Sequence, residues 1–200
     1  MFRWVRKFLL VVLLAAAVGA ALTFFFSGDP IYTLQELAAY GRFHRFDSEI
    51  TEAANKYNID PMLLKAVVWR ESAFQPGKVG RDGERGLMQV MEGAAKDWAK
   101  SQKNDTFDPA DLFEPKTNIE VGAWYLSQSL KRYSGKDDPI PFALAEYNAG
   151  RQRMNRWIGD NNLHEATATE FQKNISFPGT QSYIQAIVNR YAYYKARSHM

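Results

Sequence analysis

The sequence predicts a mainly α protein, a single domain behind an N-terminal transmembrane helix. Three observations carry that prediction. Apolar residues recur at i, i+3 and i+4 through most of the chain, helix-start signals precede several of these runs, and strand alternation is scarce. The 200 residues fit about one domain, and 46% hydrophobic with 24% charged residues excludes a disordered or low-complexity chain. Cysteine is absent, which excludes a disulfide framework, a thiol nucleophile, thiolate-bound zinc and an iron–sulfur cluster.

The elements follow in order. Residues 1–7 are a basic flank with Arg3, Arg6 and Lys7. Phe8 to Phe26 is an apolar run interrupted only by Gly19 and Thr23. At about 1.5 Å per residue it spans the ~30 Å hydrocarbon core of a bilayer. It exceeds the apolar region of a typical signal peptide, about 7–15 residues, and ends in Phe24-Phe25-Phe26 rather than small residues. It therefore reads as an uncleaved single-pass anchor, with cleavage near Ala17–Ala20 as the alternative. The preceding cations keep the N-terminus cytoplasmic and export residues 27–200 to the periplasm or cell-wall side of a bacterial inner membrane. The 25 basic residues less these three equal the 22 acidic ones, so the exported part is neutral. The pI near 9.0 thus describes topology and gives no support to a nucleic-acid partner.

Residues 27–46 read as a linker and short helix, with Ser27-Gly28-Asp29-Pro30 as breaker and Leu34, Leu37 and Ala38 at helical spacing. The domain proper covers 47–197. Asp47-Ser48 is expected to cap a helix with Ile50, Ala53, Ala54 and Tyr57 on one face. Asp60-Pro61 places an N-cap before a proline at the first helical position, and that helix is expected to end near Ser72. Residues 73–85, with Pro76, Gly77, Gly80 and Gly83, read as a loop with a short hairpin at Asp82-Gly83. Leu87, Val90, Met91, Ala94 and Trp98 predict a helix over 86–99. Thr117 and Glu120 match a capping box for a helix reaching Tyr133. Pro141 opens a helix containing Ala145-Glu146-Tyr147-Asn148-Ala149-Gly150, residues 159–162 are a turn, and a last helix runs over 180–196.

One residue stands out chemically. Leu64, Val67 or Val68, and Glu71 share the apolar face of the helix opened by Pro61. Burial disfavours the carboxylate and raises its pKa, which suits a general acid. The alternative is a helix-end glutamate paired with Arg70 or Lys65. Histidines at 44, 164 and 199 show no metal-ligand spacing, so neither metal nor cofactor is expected. Arg151, Arg153 and Arg156 read as a solvated face, with contact to an anionic polymer as the alternative.

Glu71-Ser72, Gly86-Leu87-Met88-Gln89 and Tyr147-Asn148-Ala149-Gly150 together resemble the soluble lytic transglycosylase (SLT) family, relatives of goose-type lysozyme. Residues 57–64, Asn118-Ile119 with Gly122, Tyr125 and Leu126, and Tyr183 and Tyr191 extend the likeness over about residues 46–196. The resemblance implies a lysozyme-like domain that cleaves the MurNAc-β-1,4-GlcNAc bond of peptidoglycan glycan strands without hydrolysis, leaving 1,6-anhydro-MurNAc ends. It implies Glu71 as the catalytic residue, acid then base, and Ser72, Met88, Gln89, Tyr147, Asn148 and Tyr183 around the substrate. A second carboxylate, with Asp82, Glu84 or Glu146 as candidates, would point to a hydrolytic muramidase instead. A non-catalytic wall-binding scaffold is the third reading, against which Glu71 speaks. Departures from the family pattern are Val90-Met91-Glu92-Gly93, without the usual proline, and Gln181 where many relatives carry an acid.

Overall fold

The structure is a computed structural model describing residues 2–26, 30–161 and 163–198, with side chains at 4–19, 21, 31–161 and 163–198. The chain divides into two units, residues 1–45 and 46–200.

In the first unit, α1 spans Phe2–Phe26 and α2 spans Pro30–Ala38. Among the described residues no helix is long and apolar enough to cross a membrane. The side chains at 20 and 22–26, which complete the expected 8–26 span, lie outside the described residues, as do Ser27, Gly28 and Asp29. Every described side chain of α1 is exposed, Phe8, Leu10, Leu13 and Leu14 among them.

The second unit is built mainly of helices. The first helix, α3 (Asp47–Tyr57), is N-capped by Phe46 without a side-chain bond. The expected cap residue Asp47 lies in the first turn and pairs with Lys65 at 2.7 Å. As the sequence indicates, Asp60 caps α4 (Pro61–Ser72), accepting the Met62 amide at 2.8 Å. Its other oxygen accepts Tyr191 Oη at 2.8 Å and Lys195 Nζ at 3.0 Å, tying the start of α4 to α10 (Pro178–Arg197). Leu64, Ala66, Val67 and Val68 are fully buried because α4 packs on both α3 and α10.

Two expectations are corrected. Residues 86–91 do not form the start of a helix; α5 begins only at Glu92 and runs to Ser101. Leu87 and Met88 are indeed buried, but in a turn, where a tertiary contact rather than a helical face hides them. The Thr117–Glu120 capping box does not form either. With Pro115 at its first position, α6 (Pro115–Arg132) starts three residues earlier, so Thr117 and Glu120 lie inside it. Glu120 instead pairs with Lys56 of α3. Capping boxes form at Asp108/Asp111 and Thr167/Glu170.

The remaining helices are α7 (Pro139–Ala149), α8 (Arg151–Asp160) and α9 (Ala168–Asn174). The expected turn at 159–162 falls at the end of α8, and its Asn162 lies outside the described residues. Helix α6 packs on α3, α5 and α7, and α7 packs on α10 and α9. Their core holds an aromatic column. Phe142 stacks on Phe171 at 4.0 Å and on Tyr133 at 5.6 Å, and Trp157 leans on Phe171 at 4.9 Å. Such rings bury large areas and hold α7, α9 and α8 in one register.

Candidate active site

Glu71 lies in the last turn of α4, one residue before the helix ends. The chain then takes two left-handed residues, Ala73 (φ 49°) and Phe74 (φ 60°). Positive φ at residues with a Cβ is uncommon and costs about 1–3 kcal/mol each. Phe74, 1% exposed, anchors that reversal in the core. The reversal returns Lys78 to the helix end, where its ammonium donates to the Glu71 carbonyl.

The loop 78–90 is a hairpin-like turn, as Asp82-Gly83 suggests. Single bridges join Val79 to Arg85 and Arg85 to Val90. Asn118 of α6 holds the far end of this loop. Its Oδ1 accepts the Met88 amide at 2.7 Å, and its Nδ2 donates to the carbonyls of Arg85 and Leu112, both at 2.8 Å. Glycine is required at 86 on two counts. Its φ is +76°, and a Cβ there would strike the Asn118 amide. Gly122 plays the matching part in α6, where a Cβ would run into the Met88 side chain.

Met88 is therefore wholly buried under α6, and its side chain contributes packing; its carbonyl accepts Tyr147 Oη at 2.9 Å. Gln89 adopts φ +49° and donates through Nε2 to the carbonyls of Gly86 (2.9 Å) and Lys78 (3.1 Å). Ser72 is also buried. Its hydroxyl donates to Val68 O at 3.2 Å and accepts the Gln75 amide at 3.3 Å, which finishes the helix.

From the opposite side, Tyr183 of α10 donates to Glu71 Oε1 at 2.5 Å. Tyr147, at the end of α7, packs edge-on against Tyr125 with centroids 5.6 Å apart. Asn148 is exposed, and its Oδ1 accepts Thr180 Oγ1 at 2.8 Å. Gln89, Tyr125, Tyr147, Asn148, Asp82, Glu84 and Arg153 line a groove of about 300 Å3. Glu71 does not line it, yet the charge of lining residue Glu84 acts on Glu71, and the Glu71 charge acts on the titration of lining residue Tyr147.

The electrostatics follow from this placement. Burial lifts the Glu71 carboxyl from its ordinary 4.5 to about 7. The Tyr183 hydroxyl, Arg70 and Lys78 pull it down by less, and Glu84 adds to the rise. Burial also raises Tyr147 and Tyr183 well above the ordinary tyrosine value, helped by the Glu71 charge, so both remain protonated. The surface-pairing alternative for Glu71 does not hold: Lys65 is engaged with Asp47, and Arg70 lies 5.3 Å over the Tyr183 ring.

Of the candidate second carboxylates, Asp82 and Glu84 face the groove. Glu146 does not, because it is buried among Ser129, Arg132 and Tyr133. Among the positioning residues, Lys78 carried no sequence signal. Asn118 did, as a polar residue four positions before Gly122 and eight before Leu126 on a face that is otherwise buried.

The sequence profile described as Transglycosylase SLT domain matches residues 48–169. The soluble lytic murein transglycosylase of Salmonella typhimurium is 34% identical over 139 residues, 69% of this chain and 21% of that protein. The enzyme of the same name from Escherichia coli K12 is 32% identical over 65% of this chain and 20% of its own. Among solved structures, the 70 kDa soluble lytic transglycosylase of Escherichia coli superposes with a TM-score of 0.69 at 28% identity, covering 76% of this chain and 24% of that one. An inactive glutamate-to-glutamine mutant of lytic transglycosylase Slt from Pseudomonas aeruginosa gives 0.65 at 26%, covering 76% and 24%. The chain spans about a fifth of the length of the curated relatives it matches.

Proposed function

The chain belongs to the SLT transglycosylase family, and from that membership and the state of Glu71 we propose that it is a membrane-anchored peptidoglycan lytic transglycosylase. The observation that carries the reading is a single carboxyl, lifted to about 7 and held by one tyrosine, near a groove of about 300 Å3.

In the first step Glu71 gives its proton to the glycosidic oxygen as the MurNAc C1–O bond breaks. The 2-acetamido oxygen of the same sugar bonds to C1, which replaces an enzymic nucleophile. In the second step the Glu71 carboxylate takes the proton of the MurNAc 6-hydroxyl. Its oxygen bonds to C1, the acetamido oxygen leaves, and a 1,6-anhydro sugar results. Glu71 ends protonated as it began. An internal nucleophile also avoids recruiting water.

Two groove side chains suit the acetamido group. Asn148 Oδ1 is already engaged by Thr180, so its N–H groups are oriented to donate to the amide oxygen. Both amide N–H groups of Gln89 serve loop carbonyls, which leaves Oε1 to accept the amide N–H.

Attachment through residues 8–26 rests on the apolar run and its basic flank. It would hold the catalytic domain on the periplasmic or wall side.

Hydrolysis is the second reading, favoured by one observation: Glu84 lines the groove and its charge reaches Glu71. Mass spectrometry of products from purified peptidoglycan decides between them. Products lacking one water are expected, and products carrying it would replace the first reading with the second.

A further inference from the structure

The groove is electrically uneven. Asp82 and Glu84 of the 78–90 loop and Arg153 of α8 all line it. No carboxylate among the described residues pairs with Arg153. Its one ring contact is Phe177, with the guanidinium carbon 5.8 Å from the centroid. A ring face steadies a guanidinium without neutralising it and leaves its planar fork of donors to a ligand.

Arg153 is also placed against local preference. The first turn of α8 carries Arg151 and Arg153 and no acid, although the positive end of a helix favours acids. A cation kept there, at the lip of a groove, marks a site rather than a stabilising choice. Arg156, on the same helix, does not line the groove and keeps the reading of a solvated face.

We propose that Arg153 sets substrate preference by binding a carboxylate of the short peptides that peptidoglycan strands carry on their lactyl groups. This rests on the transglycosylase reading and names the part of the substrate that reading leaves open. Asp82 and Glu84 repel a carboxylate and Arg153 attracts one, so the guanidinium is the lining group suited to hold it. The guanidinium can take both carboxylate oxygens at once, which a lysine cannot do with the same geometry.

The test compares the full chain with R153M and R153K on intact strands and on strands stripped of peptide by an amidase. The quantity read is the ratio of kcat/KM on the two substrates. In R153M that ratio is expected to fall about tenfold through KM on the intact strands, and R153K is expected to lie between. A ratio in R153M equal to that of the parent overturns the proposal, and a structural effect of the substitution would lower both rates without moving it. If the parent chain cleaves neither substrate, the transglycosylase reading itself is overturned.

Discussion

Two glutamates of this protein, Glu146 fully buried and Glu71 partly so, have opposite environments. Glu146 receives Ser129 Oγ at 3.0 Å, Tyr133 Oη at 2.8 Å and an ion pair from Arg132. Its charge is satisfied on every side, and the bonds join α6 to α7. Glu71 receives one side-chain bond, from Tyr183, and is lifted to about 7 by burial. A carboxyl left in largely apolar surroundings with few donors keeps its proton more tightly. The number of donors folded around each therefore separates a fastening from an acid. The difference also explains why Tyr147 can serve the groove while its neighbour Glu146 cannot: adjacent helix positions face different ways.

The largest effect expected from breaking this contrast is on activity. E71Q removes the transferable proton and should slow glycan release by about 10^2 to 10^4-fold, with an unchanged circular dichroism spectrum. Solubilisation of peptidoglycan at the parent rate would refute the role of Glu71. The same variant carries a stability signature. Because the folded carboxyl titrates near 7 and the unfolded one near 4.5, the folded state binds more protons between these values. Stability therefore falls as pH rises through that window. Glutamine cannot ionise, so E71Q should be more stable than the parent at pH 8, by up to about 3 kcal/mol, and should lose that advantage below pH ~4.5. Urea denaturation at the two pH values measures this.

The second effect is the reverse at Glu146. E146A leaves the buried hydroxyls of Ser129 and Tyr133 without their acceptor and should cost about 3 kcal/mol of stability at pH 7. Denaturant midpoints measure the loss, and a gain in stability would show that the two glutamates do not differ in kind.

The smallest effect sharpens the comparison by stripping Glu71 of its one donor. Y183F removes a bond to the ionised form, so the carboxyl should titrate higher still. The alkaline fall of kcat/KM, set by loss of the proton from the free enzyme, should move up by about one pH unit, the size of one hydrogen bond to a charge. A shift to lower pH would mean that Tyr183 stabilises the protonated form.

Much of the helical frame was legible in the residues. Asp60-Pro61 announced α4 because cap chemistry is local, and the break after Ser72 showed in the glycines that follow. The segment 86–91 was not legible as a turn. Leu87, Val90 and Met91 fit a helical face equally well, and what bends the chain there is Asn118, about thirty residues away. The Thr117–Glu120 pattern misled for a related reason: Pro115 offered an earlier start, and Glu120 found Lys56 across the helix pair. The α9 helix carries its own signal, Thr167 with Glu170, in a segment to which no element is assigned from the sequence.

The sequence by itself determined that the protein is helical, which family it belongs to, and that Glu71 sits on an apolar face, because these depend on spacing along one chain. Only the tertiary structure decided what each polar group does. It turned Ser72 and the Met88 side chain inward, gave Glu146 three partners, brought Tyr183 to Glu71 across 112 positions and gathered Arg153, Asp82 and Glu84 into one groove. The physical reason is that a side chain's ionisation and reach are set by the donors, charges and apolar atoms packed around it. Those neighbours come from distant parts of the chain, and no local pattern names them.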